Sequence, residues 1–152
     1  MSNNKIEKDV VIKRVNGIEA ELEELKKLGA LPLDEFKGGV GFKLAQYHLH
    51  RALEGVFNIA THILSRLPGA QATTYKEIAL QFGEKGIIDK AFAADRLVKM
   101  AKYRNRLVHF YAEVTAEELY DIIQNHLGDF GIFLAAVNGV LEKPENFSLT
   151  VE

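Results

Sequence analysis

Apolar side chains recur between Ile6 and Leu28 at three- and four-residue steps. Val11, Val15, Ile18, Leu22, Leu25 and Leu28 alternate with charged positions such as Glu19, Glu21, Glu23 and Lys26. That period is one face of an α-helix, and Gly29 supplies its stop. Residues Ala30 to Gly41 hold Pro32, Gly38, Gly39 and Gly41, a composition that breaks or delays a helix and so reads as a connection. From about Val40 to Leu67 a second stripe of Leu49, Ala52, Val56, Ile59 or Ala60, Ile63 and Leu67 runs unbroken until Pro68-Gly69 ends it. Thr74-Tyr75-Lys76-Glu77 is a capping box that opens a short helix, with Gly83 as its stop. Asp89 starts another long helix through Phe92, Leu97 and Met100. A second capping box, Thr115-Ala116-Glu117-Glu118, opens the last, with a seam of Leu119, Ile123, His126, Phe130, Phe133, Val137 and Val140. The tail from Glu145 to Glu152 carries no motif. The pattern predicts an all-α fold, an antiparallel (up-down) four-helix bundle. Its long helices lie near 6–28, 40–67, 89–110 and 116–140, with an additional short helix near 75–82.

Residues 102–111, Lys102-Tyr103-Arg104-Asn105-Arg106-Leu107-Val108-His109-Phe110-Tyr111, depart from this scheme. Counting back from Tyr111 in steps of four and three gives Leu107, Arg104, Met100, Leu97 and Ala93, an apolar stripe interrupted by one guanidinium. A buried arginine without a partner is strongly unfavourable. Arg104 must therefore meet a carboxylate, open onto water in a cleft, or await an anionic ligand. His109 adds a group able to titrate near neutral pH. The two are about 140° apart on an ideal helix, so they share no face. Their geometry improves if the helix ends near His109, if the long arginine stem reaches round, or if a two-fold axis brings two copies together.

Composition narrows the setting. A chain of 152 residues, 47% hydrophobic and 26% charged, fits a single domain over 1–152 with one sizeable core. With no Cys, neither a disulfide scaffold nor a thiolate metal site is expected, and a reducing cytoplasm is the natural home. The polar segment Met1 to Asp9 lacks the apolar stretch of a secretory signal and no later run reaches spanning length, so no membrane association is expected. A net charge of -2 argues against whole-surface attraction to nucleic acid. Locally, Lys85, Lys90, Arg96, Lys99, Lys102, Arg104 and Arg106 face only Asp89 and Asp95 between 85 and 111. The next eighteen residues, 112–129, hold Glu113, Glu117, Glu118, Asp121 and Asp129 and no Lys or Arg. Neighbouring helices with complementary faces explain most of these charges, leaving a phosphate-facing patch for the few nearest His109. His48, His50 and His62 do not stand at the spacing that puts metal ligands on one helix face, so no metal is expected. His62 and His126 read as hydrogen-bonded core or interface histidines.

Written Arg-x-x-x-x-His-x-Tyr, with Asn105 directly after the arginine, residues 104–111 resemble the signature of the HEPN superfamily, and within it the HepT-like toxin branch. The resemblance extends from about Leu33 to Val137 and includes Asn58-Ile59-Ala60-Thr61-His62-Ile63 and Gly86-Ile87-Ile88-Asp89. It implies a HEPN-like bundle acting as a metal-independent endoribonuclease, a homodimer whose composite site forms where two protomers meet. It also implies the toxin half of a toxin-antitoxin pair, with RNA as substrate and a cognate MNT-type nucleotidyltransferase as antitoxin. Catalysis falls to Arg104 and His109, with Asn105 and Tyr111 supporting, and Tyr111 is the position adenylylated in that branch. No cofactor is implied. Arg106 does not match the pattern and reads, with Lys102, as an RNA-facing residue.

The residues suit that chemistry. RNA cleavage without metal needs a base for the 2′-hydroxyl proton, an acid for the leaving oxygen, and positive charge on the pentacovalent phosphate. Histidine serves as either acid or base, and arginine offers fixed donors matched to phosphate oxygens. Asn105 can orient either group. Tyr111 can donate to the phosphate, stack on a base, or pack under the turn. The alternative is a non-catalytic helical dimerisation module that binds nucleotide or a nucleotidyltransferase partner and keeps Arg104 for pairing.

Overall fold

The structure, a computed structural model, describes residues 3–109 and 114–152. It is built of helices around one contiguous apolar core. Helix α1 (Lys8–Gly29) carries Asp9 in its first turn and Lys26 and Lys27 in its last, each complementing the helix dipole. It buries Val11, Ile18, Leu22 and Leu25. Against it lies α3 (Gly41–Ser65). Glu7 meets His62, Ile18 meets Gly55, and Glu21 meets His48, so the two helices run antiparallel. Their close approach depends on glycine, because a Cβ on Gly55 would stand 2.6 Å from Ile18 Cγ1.

The stretch read as a connection contains a short helix, α2 (Leu33–Gly38). Pro32 sits at its cap with φ already at -59°, Asp34 and Glu35 occupy the first turn, and the turn drives Phe36 fully into the core. Phe36 packs against Tyr120 with ring centroids 5.1 Å apart, and Lys37 pairs with Glu117. Helix α4 (Tyr75–Glu84) begins where the capping box predicts, with Thr74 Oγ1 accepting from the Glu77 amide at 3.1 Å. Its Phe82 stacks on Phe133 at 5.5 Å.

Asp89 caps the next helix by accepting from the Phe92 amide at 3.0 Å. That helix is continuous from 90 to 108 but not uniform. A first turn, α5 (Lys90–Phe92), leads into a π-helical turn (Ala93–Leu97) and then α6 (Val98–Val108). The last long helix also differs from its prediction. Thr115 Oγ1 caps it by accepting from the Glu118 amide, yet it breaks at His126, where φ -126° and ψ 5° leave the helical basin. The result is two helices, α7 (Ala116–Asn125) and α8 (Gly128–Glu142). Arg106 meets Glu118 and Arg96 meets Asp129, so α6 and the α7–α8 pair run in opposite directions.

The motif-free tail has structure too. After a 3₁₀ turn (Pro144–Phe147), strand β2 (Thr150–Val151) pairs in parallel with β1 (Lys5–Ile6), burying Leu149 and Ile6. Among the described residues this is the only sheet, and no helix is long and apolar enough to cross a membrane.

The α1–α3 crossing generates a paired test. Gly55→Ala should lose about 1–3 kcal/mol, because Ile18 is buried and has nowhere to retreat. Gly17→Ala meets nothing within 4 Å in mid-helix and should gain about 0.5–1 kcal/mol. Urea unfolding of the two variants measures both. Equal stabilities would show that the helices do not approach as described.

Candidate active site

Arg104 does not await a ligand alone. Its Nε donates to Glu54 Oε1 of α3 at 2.6 Å, and its guanidinium carbon lies 4.3 Å from the centroid of the Tyr75 ring on α4. Three elements therefore fix one side chain. The pair is neither buried nor open, with the arginine side chain 21% exposed and the glutamate 29%. At that depth a charge-assisted bond and a cation–π contact both outweigh their exposed counterparts. Nη1 donates to Asn105 Oδ1 at 3.3 Å, and the remaining N–H groups have no hydrogen-bond partner among the described residues. Periodicity does not single out Glu54, and in the sequence Tyr75 reads only as part of a capping box.

His50, one helical turn before Glu54, places Nε2 3.4 Å from Glu54 Oε1. That nitrogen is buried and makes no hydrogen bond, so the contact is proximity and not a bond. His50, Glu54 and Asn58 also line a cleft of about 450 Å³ between α1 and α3. On its far wall Glu21 binds Arg51 at 2.8 Å and His48 at 2.6 Å. Burial pushes the Glu21 carboxyl up, but the bonds from Arg51 and His48 outweigh it and hold the group below its ordinary range.

His109 stands at the end of α6 with extended backbone, φ -110° and ψ 120°. The helix thus ends at Val108, and the 140° separation of an ideal helix does not constrain His109 relative to Arg104. Tyr111 lies outside the described residues. Lys102 is exposed. Arg106 is engaged by α7, donating to both carboxylate oxygens of Glu118 at 2.6 and 2.9 Å, while Tyr103 donates to the same carboxylate at 2.9 Å. The bonds from Arg106 hold Glu118 below the usual carboxylate range. Among the described residues no group of three or more His, Cys, Asp or Glu is placed to hold a metal ion.

His62, which the sequence reads as a hydrogen-bonded histidine, accepts from the Glu7 amide through Nε2 at 3.2 Å. It is a structural tie between α3 and the start of α1. His126 is about one-third exposed, 3.7 Å from Asp121, at the break between α7 and α8 and not within a core seam.

Comparison with known proteins gives a consistent result. The family model described as Ribonuclease HepT-like matches residues 18–137. The chain is similar to the tRNA nuclease HepT of Aphanizomenon flos-aquae (strain 2012/KM1/D3), with 25% identity over 137 residues, 90% of this chain and 92% of that one. Its fold is similar to a chain in the crystal structure of the toxin-antitoxin with AMP-PNP, at a TM-score of 0.78 and 21% identity. That match covers 86% of this chain and 98% of the other.

The His62 contact has a pH signature. Burial, and next the Arg66 charge, lower its pKa in the folded state, while the unfolded chain keeps a value near 6.5. The unfolded state then binds more protons between the two values, so this contribution is complete above about pH 6.5 and is lost as pH falls through the folded value. The urea midpoint should fall between about pH 7.5 and about pH 5.5, above the range where carboxylates titrate. His62→Gln should flatten that slope, and an unchanged slope would remove His62 as its source.

Proposed function

The chain belongs to the HepT-like ribonuclease family and is by that membership an endoribonuclease, and from this premise we propose a metal-independent mechanism centred on Arg104 and His109. The carrying observation is Arg104 itself. It is held by Glu54 and the Tyr75 ring, with further donors uncommitted among the described residues, on the helix that His109 directly follows. A guanidinium fixed in advance stabilises charge that develops on a phosphate without reorganising during the reaction. His109 takes the 2′-hydroxyl proton or delivers one to the leaving 5′-oxygen. The new bond joins O2′ to phosphorus and the broken one frees the 5′-hydroxyl, leaving a 2′,3′-cyclic phosphate. Asn105 orients the guanidinium from its own helix, and exposed Lys102 adds diffuse attraction for the strand. Arg106 contributes through its hold on α7, with RNA contact as its second role.

One histidine cannot be acid and base in the same step, and a second protomer answers that need. The dimer we propose uses the exposed face of α3. Val40, Leu44 and Tyr47 are 69%, 43% and 54% exposed, at steps of four and three that lead along the helix towards Glu54. An apolar stripe of this kind marks an interaction surface. A two-fold axis beside it would bring both copies of the site together.

The toxin role and the antitoxin partner follow the family. We propose that an MNT-type nucleotidyltransferase adenylylates Tyr111, two residues beyond His109. The added phosphodiester and base would oppose RNA by charge and bulk at the phosphate site.

His109→Ala should abolish cleavage with helicity unchanged, and Arg104→Ala should cost about a hundredfold or more. Products read by mass should carry the cyclic phosphate. Full activity in the His109 variant, or activity lost wholly to a chelator, would sink the mechanism. Leu44→Glu should sediment as a monomer and lose cleavage together, and an active monomer would refute the composite site.

Co-expression with an MNT-type nucleotidyltransferase, the antitoxin proposed, should add one adenylyl mass at Tyr111. Neutralised protein with unmodified Tyr111 would exclude that control.

A further inference from the structure

A second cavity, of about 220 Å³, opens where α3, α6, α7 and α8 meet. It shares no lining residue with the cleft beside Glu54. Both irregularities of the helical framework border it: the π turn contributes Arg96, and the break between α7 and α8 contributes His126. Departures from helical regularity cluster at functional sites, since they cost backbone order that packing alone would not demand.

The lining specifies an occupant. Leu49, Leu53, Met100, Ile122 and Phe130 make an apolar floor and walls, to which Tyr103 adds a second ring. The rim is polar and mixed. Arg96 binds Asp129 at 2.8 Å, with side chains 26% and 15% exposed. Lys99 pairs with Asp95 at 3.0 Å, and Asp121 stands 3.7 Å from His126. The lining thus carries two cations, Arg96 and Lys99, and two carboxylates, Asp121 and Asp129, with His126 beside Asp121. A phosphate would meet the carboxylates and an ammonium the cations, and neither gains enough to repay its desolvation. A neutral group fits, one with a flat apolar face and an edge that carries both donors and acceptors. Size limits it further. The volume falls below the roughly 300–1,000 Å³ of sites for drug-sized ligands, yet exceeds several waters at about 30 Å³ each.

We infer that this cavity receives one unpaired nucleobase. The base lies between Tyr103, Phe130 and the Met100 thioether, and the rim side chains read its edge. Stacking of this kind tolerates any base, because every base has a π-face, and the carboxylates and cations of the rim set the preference among them. The source is either a free nucleoside or an unpaired residue of an RNA strand. The second source rests on the ribonuclease reading, whereas the cavity itself does not.

NMR titration of the protein with the four ribonucleosides, and separately with inorganic phosphate, tests the assignment. The Met100 methyl and Tyr103 ring signals should shift saturably at millimolar nucleoside and not with phosphate. Leu53→Phe fills the floor and should weaken the response by roughly tenfold or more. Asp121→Asn lies on the exposed rim, leaves the core intact, and should alter the preference among bases. A short single-stranded oligoribonucleotide added to the His109→Ala protein separates the sources. Shifts of the same signals assign an RNA base, and a response to nucleosides alone assigns a free nucleoside. Nucleoside binding in a protein that cleaves no RNA would leave the cavity standing and the ribonuclease reading fallen. No response at Met100 and Tyr103, an equal response to phosphate, or full response in both variants overturns the proposal.

Discussion

A guanidinium placed on the inward stripe of a helix must be compensated, and in this protein the compensation sets the position of the whole candidate site. The Arg104–Glu54 bond, 2.6 Å long and capped by the Tyr75 ring, joins α6 to α3 and α4. Breaking such a pair by removing one member leaves an uncompensated, half-buried charge, which is more costly than never having had the pair. The packing of three helices therefore has to supply a carboxylate and a ring at one point. The same constraint orients the arginine before any phosphate arrives. Stability and preorganisation rest here on one contact.

The requirement for a partner is legible from the position of Arg104 among apolar residues, but its identity is not. Glu54 lies 50 residues away, and nothing local distinguishes it from the other glutamates of the chain. The helices, their long runs and both capping boxes follow from periodicity and local hydrogen bonding, which are properties of neighbouring residues. Departures occur where tertiary contacts decide. Phe36 finds a pocket against Tyr120 and turns a glycine-rich connection into α2. The tail acquires a strand only because Lys5 and Ile6 offer it an edge. The break at His126 carries no proline, and the seam on either side keeps its period, so periodicity alone does not reveal it.

Charge is distributed by the same logic. The basic run from Lys85 to Arg106 and the acidic run that follows it meet across α6, α7 and α8, with Arg106 on Glu118 and Arg96 on Asp129. With Lys99 on Asp95 and Arg104 on Glu54 as well, four of the seven cations from Lys85 to Arg106 stand in ion pairs among the described residues, which weakens the local field. A strand of RNA approaching this protein would be attracted by a few side chains near the end of α6 and not by the surface at large. Recognition under those conditions depends on shape and on individual contacts.

The π turn at Ala93–Leu97 carries a further consequence for how this protein tolerates change. A turn of that kind holds one residue more than the α-helix it replaces, and each residue advances a helix by about 100°. The wide turn takes up that residue within its own rotation, so everything downstream, Arg104 included, keeps close to the azimuth of a regular helix one residue shorter. Loss of a single codon within the turn would let the helix relax to regular geometry and leave the guanidinium facing Glu54, whereas the same loss from the regular helix between Val98 and Arg104 would swing it by about 100° with every side chain of the motif still present. The site is thus encoded by phase as well as by residue type, and the π turn is a place upstream of it where that phase survives the loss of one residue.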